Sequence, residues 1–187
     1  MCEEMSEKFI ELKNCMVCPR DCRINRYHRK GPCLGGESAR IATHQLHFWE
    51  EPVISGKFGS GTIFFSGCNM HCVYCQNHDI SQRISGRETR VGEISDMMIK
   101  LQELGAHNVN LVTPTHFSIQ IRLAIIEARR RGLSIPIVWN SNAYEKVETL
   151  KTLEGLVDIY MPDFRYSDSE AAMKYSSAAD YPDIAKI

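Results

Sequence analysis

The sequence predicts an α/β protein in which about four β-α units form a parallel sheet, preceded by a small cysteine-rich N-terminal module. From residue 61 onward, short β-branched and aromatic runs alternate with segments whose apolar residues recur at helical spacing. Before that point, several cysteines fall in a polar stretch that is too small to bury much of a core. We expect residues 1–56 to form the module with its linker, and residues 57–187 to form the α/β core.

Short apolar runs bounded by turn residues predict the strands of this core. A buried strand needs only four to six such residues, and regular alternation with helices favours parallel pairing through right-handed crossovers. A further strand is expected near 40–45, upstream of the first unit. The four strands of the β-α units are expected at 61–66, 109–112, 135–139 and 157–161.

Helices are predicted where apolar residues repeat at three- and four-residue intervals. Gly105 and Gly132 follow two of these segments and are typical helix terminators. The methionine-rich face of the first helix is expected to pack in the core. The helices are expected at 93–104, 117–131, 143–153 and from about Ser169, with a short helical lead-in over 1–14.

The most informative motif lies directly after the first strand of the alternating region. Cys68, Cys72 and Cys75 have the spacing C-x3-C-x2-C, on the loop that leaves the C-terminal end of that strand. Three thiolates on one loop form a soft ligand set that suits an iron–sulfur cluster or zinc. Three protein ligands on a [4Fe-4S] cluster leave one iron open to a small molecule, as an open catalytic zinc site leaves a position for substrate.

Polar side chains follow the next three predicted strands. Parallel strands deliver their C-terminal loops to one face of the sheet, so these side chains should surround the cysteine loop. Their chemistry suits a ligand that carries amine, carboxylate and hydroxyl groups. The candidate ligand-binding residues are Thr113, Thr115, Asn140, Ser141, Asn142, Asp163 and Arg165.

At these residues the chain resembles the radical S-adenosylmethionine (SAM) superfamily, including the aromatic Tyr74 before the third cysteine. The run from Gly61 through Ser81 resembles the branch related to pyruvate formate-lyase activating enzymes, called PflX-like. The resemblance implies that residues 57–187 form a partial radical SAM (β/α) barrel, incomplete and C-terminally truncated, because such cores usually have more β-α units than the four predicted here. It also implies a [4Fe-4S] cluster that binds SAM, and reductive cleavage of SAM to a 5′-deoxyadenosyl radical that abstracts hydrogen.

The same resemblance assigns roles to the strand ends. Asp163 would bind the ribose hydroxyls of SAM, and Arg165 would pair with its carboxylate. Relatives carry a Gly-Gly-Glu segment that contacts the SAM amino group, whereas this chain has Thr113-Pro114-Thr115-His116 there. The ammonium group would then need Thr113 or Thr115 as acceptors. Apart from the resemblance, Glu50 and Glu51, which precede Pro52, are weaker candidates for the mouth of the site.

A second cysteine group precedes the sheet. Cys15, Cys18, Cys22 and Cys33 have the spacing C-x2-C-x3-C-x10-C. Four thiolates complete a tetrahedral structural zinc site. The small size of the module slightly favours zinc, and the Cys-x2-Cys-Pro-x2-Cys fragment is also typical of a ferredoxin-like cluster. Zinc and a second iron–sulfur cluster both remain open at this point.

Composition limits the partners. The chain has 187 residues and a net charge of −1, so bulk electrostatics predict no nucleic-acid partner. No apolar stretch approaches the length of a membrane span, and the acidic N-terminus is unlike a signal peptide, so we expect a cytoplasmic protein. Disulfides are disfavoured in that compartment, which favours metal binding for most of the eight cysteines.

The leading hypothesis is a radical SAM oxidoreductase similar to glycyl-radical-enzyme activases. A flavodoxin-like electron donor and a protein substrate are the implied partners, and the open edge of an incomplete barrel favours a homo-oligomer. Two alternatives remain open: a non-catalytic zinc-binding interaction module, and a truncated inactive copy of such an enzyme.

Overall fold

A computed structural model of the chain describes residues 9–187. The predicted helical lead-in therefore lies partly outside the described residues, and within them a 3-10 helix covers Ile10–Asn14. A second 3-10 helix covers Thr115–Phe117. The strands are β1 Ala39–His47, β2 Ser60–Phe65, β3 Arg87–Thr89, β4 Val109–Val112, β5 Ile137–Ser141 and β6 Ile159–Pro162. The α-helices are α1 Pro52–Ser55, α2 His78–Ser81, α3 Val91–Glu103, α4 Ser118–Arg130, α5 Val147–Lys151, α6 Ser169–Ser176 and α7 Tyr181–Ile184.

The strands form one six-stranded sheet in the order β3-β1-β2-β4-β5-β6. β2, β4, β5 and β6 pair in parallel, which confirms the predicted α/β core. β1 and β3 add two antiparallel strands at one side, so the sheet is mostly rather than wholly parallel. Residues 39–47, assigned from the sequence to the N-terminal module, thus belong to the same sheet as the core strands.

The register of the parallel strands positions the site. Phe64 pairs with Val112, Val112 with Asn140, and Asn140 with Met161. All four strands therefore end at nearly the same level. The loops that follow them meet at one edge of the sheet, as the sequence analysis predicted.

Helices α3 and α4 pack together against one face of the sheet. Their buried residues follow the predicted helical spacing, and the methionine-rich face of α3 lies in the core as expected. Glu93 accepts a hydrogen bond from the backbone N–H of Arg90 at 2.8 Å, which satisfies a free donor at the start of α3. Gly132, with φ of +98°, follows α4 in the left-handed conformation that favours glycine. The principal buried side chains of the two helices are Ile94, Met98, Leu101, Ile121, Ala124, Ile125 and Ala128.

Several predicted boundaries differ from the structure. The helix predicted over 143–153 is α5, only five residues long, because residues 142–145 turn their polar groups toward the site instead. The strands predicted over 135–139 and 157–161 begin two residues later. Asn140 and Ser141 remain in the parallel ladder despite their low strand propensity. The short elements α1, α2, β3 and α7 were not predicted.

Within the described part of the chain, no helix combines the length and apolar character needed to cross a bilayer.

Substitution of the fully buried Leu101 in α3 tests this packing. Leu101→Ala should lower the free energy of unfolding by about 2–5 kcal/mol, because it leaves a cavity between α3 and the sheet. Leu104→Ala, at the exposed C-terminal end of the same helix, is the matched control and should change it by about 0.5 kcal/mol or less. Urea denaturation followed by circular dichroism measures both. Equal effects of the two substitutions would contradict this account of the core.

Candidate functional site

The cysteine loop begins where β2 ends. Gly67 adopts φ of +86°, and a Cβ at this position would overlap the backbone carbonyl of Cys33. Glycine is therefore required for two reasons, its backbone conformation and the close approach of another segment. The chain turns sharply here, and Cys68, Cys72 and Cys75 follow on the loop above the sheet.

The three cysteines line one cavity of about 620 Å³, a volume typical of small-molecule sites. Six of the seven predicted ligand-binding residues line the same cavity, which brings the ends of β4, β5 and β6 to the cysteine loop. These six are Thr113, Asn140, Ser141, Asn142, Asp163 and Arg165.

Thr115 is the predicted residue that the structure places elsewhere. Its side chain is buried behind the cavity wall, and its hydroxyl donates to Glu145 Oε1 at 2.9 Å. The backbone explains the difference: Thr113 has φ of +57°, and the 3-10 helix that begins at Thr115 carries the chain away from the cavity.

Hydrogen-bond donors point at the thiols of the cysteine loop. The backbone N–H of Met70 lies 3.3 Å from Cys68 Sγ, and the Asn142 amide lies 3.4 Å from the same sulfur. The Ser81 hydroxyl lies 3.2 Å from Cys75 Sγ. Burial raises the pKa of Cys68, and the backbone N–H groups of Met70 and His71 oppose that rise by favouring the thiolate. The donor set therefore suits a bound metal cluster, whose ligands are thiolates.

The cysteine loop fits a [4Fe-4S] cluster by the chemistry of its donors. Each cysteine of such a cluster binds a different iron, and Cys68, Cys72 and Cys75 bring three thiols to one cavity. In residues 9–187, no three His, Cys, Asp or Glu side chains are already grouped as ligands of a single metal ion.

Asn142 links the cysteine loop to the end of β5. Besides Cys68, its amide nitrogen donates to Asn69 Oδ1 at 2.9 Å, and Asn69 in turn donates to the Tyr144 carbonyl at 2.8 Å. The Asn142 side-chain oxygen accepts from the Tyr144 N–H at 3.0 Å. This buried network fixes the height of the loop above the sheet.

Asp163 and Arg165 form an ion pair at 2.7 Å on the rim of the cavity. Burial alone would lower the pKa of Arg165, but Asp163 and the thiols of Cys72 and Cys68 raise it. The guanidinium is thus close enough to the cysteine loop to interact with negative charge on the sulfurs of Cys72 and Cys68. Tyr181 holds this segment in place, because its hydroxyl accepts from the Arg165 N–H at 2.8 Å.

The sequence did not predict the roles of two carboxylates at the site. Glu145 is buried and accepts hydrogen bonds from Thr115, Trp139 and Ser141. Trp139 and Ser141 belong to β5, so Glu145 braces that strand from behind the cavity. Only its position after Asn140-Ser141-Asn142 was available as a signal, and that position does not reveal its partners.

Glu50, in contrast, lines the cavity itself. Its Oε2 atom accepts from the amides of Asn110 at 3.0 Å and Asn140 at 3.1 Å. The carboxylate comes from the segment between β1 and α1, far from β4 and β5 in sequence. The sequence showed no feature that would connect it to them.

Arg20 connects the first cysteine group to the cysteine loop. Its guanidinium donates to the Asn69 carbonyl at 2.7 Å and the Ser176 carbonyl at 2.7 Å. It also donates to the Ser177 carbonyl. None of Cys15, Cys18, Cys22 or Cys33 lines the cavity.

The pH dependence of stability tests the environment of Glu145. Burial raises its pKa, against the opposing effect of the hydrogen bonds from Trp139, Ser141 and Thr115. The stabilisation that this group contributes is therefore complete below its unfolded pKa of about 4.3, and it is lost as pH rises through the folded value. The difference in unfolding free energy between wild type and Glu145→Gln should accordingly decrease as pH rises from about 4.

Denaturation at a series of pH values measures this difference. Glu154→Gln, which removes an exposed carboxylate, controls for the loss of one surface charge. A difference between wild type and Glu145→Gln that does not change with pH would contradict the raised pKa.

Comparison with known proteins identifies the family. The model of the Radical SAM superfamily matches residues 62–182, which include the cysteine loop and all the strand ends that line the cavity. An uncharacterized protein of Methanocaldococcus jannaschii is 37% identical over 184 residues, an alignment that covers 93% of this chain. The chain spans about half, 52%, of the length of that relative. Because the family model covers more than half of the chain, and because the cysteine loop carries the expected thiols and donors, the chain belongs to the radical SAM superfamily.

Proposed function

We propose that this chain cleaves SAM reductively and uses the product radical for hydrogen abstraction. Domains of its superfamily generally bind a [4Fe-4S] cluster and SAM. The observation that carries the proposal is the cavity, in which three thiols with hydrogen-bond donors face polar groups from three strand ends. When bound, the cluster supplies one electron that breaks a carbon–sulfur bond of SAM, giving methionine and a 5′-deoxyadenosyl radical.

Cys68, Cys72 and Cys75 hold the cluster in this proposal. The Met70 N–H, Asn142 amide and Ser81 hydroxyl stabilise the thiolates and fix their positions. Charge-assisted hydrogen bonds to ionised sulfur are stronger than those to a neutral thiol, so the same donors become more effective once the cysteines are deprotonated.

The strand ends bind the remaining parts of SAM. Asp163 accepts from the ribose hydroxyls, and Arg165 pairs with the carboxylate of the amino acid. In the described residues these two already form an ion pair, so the ligand carboxylate would compete with Asp163 for the guanidinium. Thr113, Asn140 and Ser141 supply neutral polar contacts along the cavity wall.

Glu50 supplies the carboxylate that the end of β4 lacks. An ammonium group in a partly closed cavity needs an anionic or strongly polar partner, because an unpaired buried charge is costly. Thr113 offers only a hydroxyl, and Thr115 points away from the cavity. The Glu50 carboxylate lines the same cavity and is held by two amides, which leaves lone pairs for a further donor.

For the reaction partner, we extend the proposal to an activase-like role in the PflX-like branch. The hydrogen donor would be a glycine of a protein substrate, and a flavodoxin-like protein would supply the electron. A homo-oligomer is part of the same extension. These assignments rest on the resemblance of the run from Gly61 to Ser81. The relative from Methanocaldococcus jannaschii is itself an uncharacterized protein.

Cys72→Ala tests the assignment of the cluster. The variant should lose cleavage of SAM completely, because one iron loses its protein ligand. Val73→Ala, at an exposed position of the same loop, is the matched control and should retain cleavage. Release of 5′-deoxyadenosine after anaerobic reconstitution with iron and sulfide, under a strong reductant, measures both. Cleavage that survives in Cys72→Ala would refute the assignment.

Glu50→Gln tests the proposed ammonium contact. Loss of one charge-assisted hydrogen bond should weaken SAM binding by about tenfold or more. Glu51→Gln removes the neighbouring exposed carboxylate and should leave affinity unchanged. Isothermal titration of the reconstituted protein measures both affinities, and iron content confirms that the cluster is equal in the two variants. Equal affinity in Glu50→Gln and wild type would remove Glu50 from the proposal.

A further inference from the structure

The cysteines before the sheet converge on one place outside the cavity. A Cβ on Gly31 would lie 3.3 Å from Cys33 Sγ and 3.9 Å from Cys22 Sγ, so these two sulfurs flank the glycine. Cys18 lies close enough to Cys33, Cys15 and Cys22 for charge on any of these three sulfurs to act on its own. The four thiols are therefore neighbours, and all four are unpaired rather than joined in disulfides.

The backbone around these cysteines forms turns that direct N–H groups at sulfur. The N–H of Arg20 bonds to the Cys18 sulfur, and the N–H of Gly35 bonds to the Cys33 sulfur. Both donors lie two residues after the cysteine, as the Met70 N–H does for Cys68. The two cysteine groups thus share a local geometry in which a backbone N–H is directed at a cysteine sulfur.

Arg26 adds a buried positive charge to the same place. Its Nη1 atom lies 3.9 Å from Cys15 Sγ, and a Cβ on Gly35 would meet both its guanidinium and Cys33 Sγ. Only 3% of this residue is exposed. Across residues 9–187 it pairs with no carboxylate, and its Nη2 atom is buried without a hydrogen-bond partner.

A buried guanidinium without a nearby negative charge is unfavourable, so its environment should supply negative charge. Neutral thiols do not supply it, whereas a metal bound by four thiolates carries net negative charge. The unpartnered Nη2 of Arg26 therefore indicates an anionic group between Cys15 and Cys33. A centre held by the four cysteines meets this requirement.

We propose that Cys15, Cys18, Cys22 and Cys33 bind a second iron–sulfur cluster, with Arg26 as its buried counter-charge. The fragment Cys15-x2-Cys18-Pro19-x2-Cys22 is typical of iron–sulfur ligation, which favours a cluster over zinc here. A [4Fe-4S] cluster takes one cysteine per iron, and four neighbouring thiols can supply all four of its ligands.

The second site is separate from the first but rests directly on it. The Cys33 carbonyl lies against Gly67, one residue before Cys68. A cluster at Cys33 would therefore lie next to the cysteine loop without sharing any ligand with it. This inference does not depend on SAM cleavage and can be tested without it.

The triple variant Cys68→Ala/Cys72→Ala/Cys75→Ala isolates the second site in the full chain. After anaerobic reconstitution it should retain about four irons and about four sulfides per chain, with the Mössbauer signature of a cubane cluster. Retention of one zinc without iron would overturn the proposal in favour of a structural zinc. The absence of any metal in the folded triple variant would overturn the proposal as well.

Cys22→Ser tests the same site in a chain whose cysteine loop is intact. Cys22 is only partly buried, so this substitution disturbs packing least. Wild type should hold about eight irons, and Cys22→Ser should lose about half of them. An unchanged iron content would overturn the proposal even if the triple variant failed to fold.

The charge of Arg26 is tested by potentiometry in the triple variant. Arg26→Met should shift the midpoint potential of the remaining cluster to more negative values, because removal of a nearby positive charge disfavours the added electron. Arg26→Lys keeps the charge and should shift it less. Arg90→Met, at an exposed position, is the control and should not shift it. Equal potentials in Arg26→Met and the control would show that Arg26 does not face a cluster.

Discussion

One cation holds the site together. The Arg20 guanidinium donates to carbonyls of Asn69 and Met70 in the cysteine loop, and to carbonyls of Ser176 and Ser177 at the end of α6. Backbone carbonyls at a helix C-terminus lack intrahelical donors and carry partial negative charge, so a guanidinium is a favourable partner. The N-terminal segment, the loop above β2 and the C-terminal helices therefore meet at a single side chain. Loss of Arg20 would remove its contacts with the other two segments, while the Val73 N–H would still join the cysteine loop to the Tyr175 carbonyl of α6.

Two carboxylates near the cavity have different roles. Glu145 is enclosed and accepts three hydrogen bonds, so it acts on β5 by positioning Ser141 and Trp139. Glu50 faces the cavity and is held by amides that donate to one of its oxygens. An enclosed carboxylate favours rigidity, whereas a carboxylate on the cavity wall remains available to a ligand.

Local signals allowed the sequence to predict part of this arrangement. The spacing of Cys68, Cys72 and Cys75, the periodic faces of α3 and α4, and the glycines that end those helices are all short-range features, and the structure places them as expected. The remaining features depend on contacts between distant segments. Thr115 and Thr113 are both polar residues after β4, and only the backbone turn at Thr113 directs them to opposite sides of the cavity wall. Glu50 reaches Asn140 across ninety residues of sequence, a contact for which no periodicity or spacing gives a signal.

The apposition of Gly67 and the Cys33 carbonyl has a consequence for engineering. A short peptide that copies only the loop from Ser66 to Cys75 would carry the right thiols on an unsupported backbone. It would lack the turn against which Gly67 rests and the guanidinium that anchors Asn69. Transplanting this loop into a foreign scaffold would therefore require the stretch from Cys15 to Cys33 to be moved with it.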